Sequence, residues 1–347
     1  VSLVASNTMV KNSKKILVIH FTGRVGDTLF ITPLLETISN NYKNSEITAL
    51  VHRNTIALVE HSKHANYVST ISKKRARYRG WLSRNKYDIV FVSSSPDEDV
   101  DSLVSYACRV GKRIIAFETP SEKLNNCINY VVHKDFNKDR HLVDYYHDLT
   151  NAVGIPSSRK RINFNATNSE LNKSKKILQN SSLKDCKIII AVKITGLPSR
   201  SYRDWPEKNF IELTEILAKQ YSDIGFIMLG GLDEYEKYDD MSQKIQAPVL
   251  NLSNQVAREV GAMMSHVSLY LGVNTGFTHL MSSFDAPMVV LFHPLVSGRQ
   301  YAPVNHPNFY SLECSNCING DESCMMASIS SKQVFDTINL ALSNVVK

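Results

Sequence analysis

Apolar positions along this chain come in two patterns. Short continuous runs, such as Ile16-Leu17-Val18-Ile19, Ile89-Val90-Phe91-Val92 and Ile188-Ile189-Ile190-Ala191-Val192, alternate with longer stretches whose apolar residues lie three and four apart. The first pattern is that of a strand buried on both faces, the second that of an amphipathic helix. In the first half they predict strands over 15–20, 46–51, 67–71, 87–92 and 113–117. Helices are predicted over 27–41, 55–61, 75–84, 97–110 and 139–153. Pro33 sits in the first turns of its helix, where proline is tolerated, and Gly111 supplies a C-cap. The second half repeats the alternation, with strands over 187–193, 224–229, 248–252, 267–271 and 288–292. Its helices are expected over 169–179, 205–221, 234–245 and 256–266, from the turn at Asn274 to Phe284, and over 331–346.

Strand and helix in strict alternation imply parallel sheets wrapped on both faces. The Ser-, Arg-, Lys- and Asn-rich piece 157–167 has the composition of a linker. The expected organisation is a lead-in over 1–14, an α/β domain over 15–156, the linker 157–167, and a second α/β domain over 168–347. A length of 347 residues suits two domains, and 43% hydrophobic residues is enough to fill two cores.

Charge and cysteine narrow the classes. No apolar run is long enough for a transmembrane helix. The polar start of the chain reads as neither signal peptide nor anchor. The net charge of +7 favours anionic partners, with a nucleotide diphosphate or an anionic lipid surface fitting equally. No nucleic-acid motif accompanies it. The densest basic run is Lys73, Lys74, Arg75, Arg77 and Arg79, beside Trp81. It reads as a solvated helix start or as a contact for the anionic groups of a membrane-borne acceptor. Six cysteines, scattered and without a signal peptide, suggest free thiols in a reducing compartment. Cys314, Cys317 and Cys324 resemble part of a zinc site but lack a well-spaced fourth ligand.

Two strand–turn–helix junctions are candidates for chemistry. One is Gly23-Arg24-Val25-Gly26-Asp27-Thr28 after the first strand; the other is Gly272-Val273-Asn274-Thr275-Gly276-Phe277-Thr278-His279. Such turns present backbone N–H groups to an anion. One per half suggests two facing domains with chemistry between them. Asp27 reads either as a general base or as an ordinary first-turn acid. Arg200 and Arg203, and Lys193 at a strand end, read either as cations for a leaving phosphate or as surface charge. Glu234 after Gly230-Gly231 reads as a ribose-binding acid or a helix-start acid. His279 reads as a phosphate donor or a core histidine.

Taken together, Gly26-Asp27-Thr28 with Pro33, Arg203-Asp204-Trp205-Pro206-Glu207, Gly230-Gly231-x-x-Glu234 and Asn274-Thr275-Gly276-x-x-His279 occur in the order of glycosyltransferase family 9, and the cysteine tail also resembles that family. The resemblance runs from about Lys15 to the end. It implies a GT-B fold, two Rossmann-like doubly wound parallel-sheet domains facing across a cleft, with inverting chemistry and no metal or other cofactor. It implies heptose transfer from ADP-heptose to a bacterial lipopolysaccharide core, by a protein peripherally bound at the inner face of the cytoplasmic membrane. By the same resemblance Asp27 is the base, and Lys193, Thr195, Arg200, Arg203, Thr275, Gly276 and His279 surround the donor diphosphate. Glu234, Asn254, Gln255 and Val256 take the ribose and base. Arg24 and the basic run Lys73, Lys74, Arg75 and Arg77 face the acceptor. Two residues depart from the family's pattern. Arg203 stands where lysine is usual and keeps the charge, whereas Asn274 stands where aspartate contacts the donor sugar and loses it. A nucleotide-sugar 2-epimerase and a degenerate binding relative are the competing readings.

Overall fold

The structure is a computed structural model that describes residues 15–78, 84–137, 139–156, 161–196, 198–296, 298–314 and 325–344. It divides into two compact units, Val1–Asn165 and Ala166–Lys347, with the division inside the linker-like piece. No helix among the described residues is long and apolar enough to cross a membrane.

The first unit runs β1 (Lys15–Phe21), α1 (Val25–Leu29), α2 (Thr32–Asn41), β2 (Glu46–Val51), β3 (Tyr67–Thr70), α3 (Lys73–Tyr78), β4 (Ile89–Ser94), α4 (Asp101–Val110), β5 (Ile114–Phe117), α5 (Glu122–Asn125), β6 (Tyr130–Val132) and α6 (Leu142–Asn151). The sheet order is β3-β2-β1-β4-β5-β6, and every pairing is parallel. Central β1 has Ile16 to Ile19 fully buried, each such side chain contributing about 1.5–3 kcal/mol by leaving water. Helix α4 shows the expected stripe, burying Leu103, Val104, Ala107 and Val110.

The second unit contains α7 (Asn168–Gln179), β7 (Ile188–Lys193), α8 (Glu207–Gln220), β8 (Ile224–Met228), α9 (Tyr235–Ser242), β9 (Val249–Asn251), α10 (Ala257–Met264), β10 (Leu269–Val273), α11 (Gly276–Met281), β11 (Met288–Phe292), α12 (Gly298–Tyr301), β12 (Phe309–Glu313) and α13 (Ser331–Ser343). Its order, β12-β11-β10-β7-β8-β9, is the same topology, again wholly parallel. Each unit therefore has a switch point, between β1 and β4 and between β7 and β10, where successive connections leave in opposite directions and open a crevice at the strands' carboxyl ends.

Several elements differ from the sequence-based expectation. The helix over 27–41 is two helices broken at Phe30 and Ile31. Pro33 has no N–H for an unbroken helix and its ring would press on the carbonyl of Leu29. That carbonyl instead accepts a 2.8 Å bond from the Thr32 hydroxyl. The break leaves Asp27 on its own short turn. The helix over 55–61 is only a 3₁₀ turn at Ile56–Leu58. Gly111 does end α4, but with φ of −107° rather than a left-handed conformation. A Cβ there would come within 2.4 Å of Val90 Cγ2, so packing is what requires glycine. The last strand of each unit, β6 and β12, was not anticipated. Both are edge strands with no fully buried face, so they lack the continuous apolar run that marks the inner ones.

In the second unit, Thr167 and Glu170 form a capping box at the start of α7. Glu170 also takes a two-pronged ion pair from Arg258 on α10. Arg258 is buried, at 6% exposure. Its guanidinium, with the Thr167 donors, holds the Glu170 carboxyl down at about 2. A carboxyl held below its ordinary value stabilises the fold above that value and loses the contribution as pH falls through the folded one. Glu170→Gln is expected to lower the melting temperature at pH 7 by about 4–8 °C, from about 2 kcal/mol of lost charge-assisted bonding. The gap between variant and wild type should close between about pH 4.5 and 2. Thermal melts across that range test this, and a gap independent of pH would refute it.

Candidate active site

At the switch point of the first unit, Asp27 lies in the turn that follows β1, and its side chain is only 16% exposed. It does not cap its helix. The N-cap is Arg24, with no side-chain cap bond. The Asp27 carboxylate instead accepts a 2.8 Å bond from the Ser95 hydroxyl at the end of β4, and Arg24 Nη1 approaches the same oxygen at 3.4 Å. Arg24 Nη2 also pairs with Asp97 at 2.8 Å. Burial pushes the Asp27 carboxyl above its ordinary value, against the pull of Ser95 and Arg24. A buried carboxylate with a raised proton affinity is suited to accepting a proton from an alcohol.

Beneath it, His20 of β1 is fully buried. Its Nε2 lies 3.1 Å from the Asp27 carbonyl, and its Nδ1 lies 3.2 Å from the Ser93 hydroxyl. An edge contact with Tyr146 on α6 completes its surroundings. Burial lowers its basicity to about 4, so it is a neutral fixture. Of the expected acceptor cations, Lys73 is committed to Glu98 at 3.3 Å and lies 5.4 Å over the Phe21 ring. Lys74 and Arg75 are exposed. The Arg77 side chain is outside the described residues.

At the switch point of the second unit, β7 ends at Lys193, which is buried at 4% exposure. Its Nζ contacts Glu234 at 2.6 and 2.7 Å and Thr195 Oγ1 at 2.8 Å. Thr195 also donates to Glu234 and lies 2.5 Å from the Tyr238 hydroxyl. Glu234 further accepts the Gly231 N–H at 2.8 Å. Burial pulls the Lys193 ammonium below its ordinary value, opposed by Glu234. The two residues expected to serve phosphate and ribose are thus each other's counter-charge. Gly230 permits this clustering, since a Cβ there would sit 2.7 Å from the Tyr238 ring.

The polar loop after β7 is pinned at both ends. The Asp204 carboxylate accepts the Gly196 N–H at 2.6 Å, and buried Trp205 donates its indole N–H to the Ile329 carbonyl at 2.9 Å. Arg203 immediately precedes Asp204 and Trp205, donating to the Tyr202 hydroxyl at 3.2 Å and stacking over its ring. Tyr202 meets buried His293, at the end of β11, edge-on at 4.9 Å. Arg203 Nε is buried and has no hydrogen-bond partner among the described residues. Arg200 is exposed. At the end of β10, Asn274 Oδ1 is likewise buried and unpartnered. Thr275 is the N-cap of α11, which buries His279 against Tyr301. The turn is held from below by the Tyr270 hydroxyl, 3.0 Å from Thr278 Oγ1. Gly272 leaves room for that hydroxyl, which a Cβ would approach to 2.3 Å. After β9, Asn254 and Val256 are exposed, Val256 at 64%, and Gln255 donates to Asn254 Oδ1 at 2.8 Å. Cys314 is buried; Cys317 and Cys324 lie outside the described residues.

Sequence reasoning overlooked His20, Ser93, Ser95 and Tyr238. The run Ser93-Ser94-Ser95 after four apolar residues of β4 was a usable signal, since hydroxyls at a buried strand's carboxyl end point to a crevice. His20 and Tyr238 are single polar residues within apolar or helical stretches and carried no such signal.

The sequence profile of glycosyltransferase family 9 (heptosyltransferase) matches residues 75–325. The chain belongs to that family. Lipopolysaccharide heptosyltransferase 3 of Escherichia coli K12 is 18% identical over 279 residues, covering 77% of this chain and 79% of that protein. Among solved structures, a family 9 glycosyltransferase from Veillonella parvula superposes with a TM-score of 0.81 at 16% identity, covering 95% of this chain and 98% of that one. ADP-heptose lipopolysaccharide heptosyltransferase II of E. coli superposes with a TM-score of 0.77 at 16% identity, covering 96% and 100%. These likenesses establish the GT-B fold, and the family makes this protein a glycosyltransferase.

The Lys193–Glu234 pair yields a measurable expectation for this family 9 protein. Removing one member of a buried pair strands the other charge, at a cost of about 3–5 kcal/mol. Glu234→Gln should therefore destabilise strongly in urea, while Lys193→Met combined with Glu234→Gln should recover much of the loss. A double variant no more stable than the single one would contradict this account.

Proposed function

We propose that this protein transfers heptose from ADP-heptose to a hydroxyl of a lipopolysaccharide or lipooligosaccharide core, with inversion and without a metal. The observation that carries the reading is the chemistry at the two switch points, in a chain of a heptosyltransferase family. The first unit has a buried carboxylate of raised proton affinity, Asp27. The second has a guanidinium N–H and an amide oxygen, Arg203 Nε and Asn274 Oδ1, buried without partners among the described residues. Unmet buried polar groups are costly and are satisfied when a ligand arrives.

In this mechanism Asp27 takes the acceptor's O–H proton as that oxygen attacks the anomeric carbon. The bond from that carbon to the phosphate oxygen breaks, and ADP leaves with the electron pair. Arg203 meets the charge growing on the diphosphate, aided by the N–H groups of the Thr275–Gly276 turn. Asn274 accepts from a hydroxyl of the donor sugar. Glu234, held by Lys193, faces the ribose, and exposed Val256 offers an apolar contact to the base. Arg24, Lys74 and Arg75 suit an anionic acceptor carried at the inner face of the cytoplasmic membrane.

Asp27→Asn is expected to fold, because Ser95 retains an acceptor and Arg24 retains Asp97, yet to lose transfer by about 10²–10⁴-fold. Arg203→Ala should weaken ADP binding by about 10–100-fold in calorimetry, from the loss of charge-assisted bonds, with Arg203→Lys intermediate. ADP release from ADP-heptose is then measured with and without core acceptor. Release only with acceptor supports transfer. A sugar epimer formed from donor alone would indicate an epimerase, and binding without turnover a degenerate relative.

A further inference from the structure

Three contacts that hold the Asp27 turn come from alternate positions of one segment. Ser93 meets His20, Ser95 meets Asp27, and Asp97 meets Arg24. Ser93 and Ser95, alternate residues where β4 ends, point the same way, and Asp97 lies in the turn that follows, closed by the Glu98 N–H bond to the Ser95 carbonyl. The parallel register sets Ser93 beside His20 and Ser94 beside Phe21, so this side of β4 runs along the exit of β1 and the turn beyond it. His20 steadies the main chain of Asp27, while Ser95 reaches the carboxylate itself. The Ser95 hydroxyl and Arg24 Nη1 both converge on Oδ2. Among the described residues no hydrogen bond engages Oδ1, whose lone pairs remain for an incoming alcohol.

We propose that Ser95 is a positioning residue for the general base, fixing the Asp27 carboxylate by its Oδ2 so that Oδ1 is directed at the acceptor hydroxyl. This rests on the reading of Asp27 as base. It assigns Ser95 a role through Asp27, with no contact of its own to the substrate. Asp97 acts in the opposite sense. Its own charge disfavours ionisation of Asp27, and it takes the shorter of the Arg24 contacts, 2.8 Å against 3.4 Å to Asp27. Within this unit the groups facing Asp27 are neutral His20 on β1, Arg24 at the start of α1, and Ser95 and Asp97 after β4. The two residues beyond β4 therefore tune the base with opposite signs.

The test is kcat/KM for the acceptor against pH, with melting temperatures in parallel. A base must be deprotonated to act, so the acid limb of that profile follows its ionisation in the free enzyme. Removing the Ser95 hydroxyl bond to the carboxylate should move the limb of Ser95→Ala to higher pH by about one unit. The plateau kcat should fall about tenfold, with the KM for ADP-heptose unchanged. Ser95→Thr, which keeps the hydroxyl, should restore most of both. Asp97→Asn should move the limb to lower pH, because it removes the like charge and leaves Arg24 to Asp27. Disturbed packing would not shift the limb in opposite directions at positions two residues apart. A Ser95→Ala limb that stays in place while Asp27→Asn is inactive overturns the role of Ser95 alone. An active Asp27→Asn overturns the base reading and with it this proposal.

Discussion

A parallel sheet in the order 3-2-1-4-5-6 leaves one place where its connections cannot cover the strand ends. Connections from the first strand travel one way and those from the fourth travel the other, so the carboxyl ends of those two strands border a crevice. Both units of this protein have that order. Asp27 follows β1 and Ser95 follows β4; Lys193 ends β7 and Asn274 follows β10. These four positions border the two crevices, because the topology leaves the ends of those strands uncovered.

The two switch points are furnished differently, and the difference follows from burial. In the first unit a single carboxylate is held by a hydroxyl and by a guanidinium shared with Asp97. Its charge is incompletely neutralised, and desolvation raises its proton affinity. In the second unit the buried lysine has a full counter-charge, with Thr195 and Tyr238 closing the network. That pair is a fixed scaffold, whereas Arg203 and Asn274 keep atoms unpartnered. Among the described residues, the cation with an unpartnered buried N–H is thus in the loop before Trp205 and not at the strand end.

Local rigidity supports both sites. The break between α1 and α2 confines Asp27 to one short turn, tied to β1 through His20. The loop bearing Arg203 is closed by the bond from the Gly196 N–H at its start to Asp204 at its end, and Trp205 fastens that end to the Ile329 carbonyl. Each anchor uses a buried or part-buried group whose loss leaves an unmet partner, which costs more than an exposed contact would.

Hydrophobic periodicity was sufficient to determine the class of this protein, because inner strands of a parallel sheet must be apolar on both faces and its helices on one. The inner strands and the long helices were legible for that reason, and the ordered motifs marked both junctions. Edge strands β6 and β12 were not, since half-exposed strands need no continuous apolar run. The break before Pro33 was missed too, although proline in the first turns was noticed. What only the tertiary structure decided is which polar residues meet. Lys193 and Glu234 are 41 positions apart, Asp27 and Ser95 are 68, and a buried charge takes its partner from wherever the sheet order brings one.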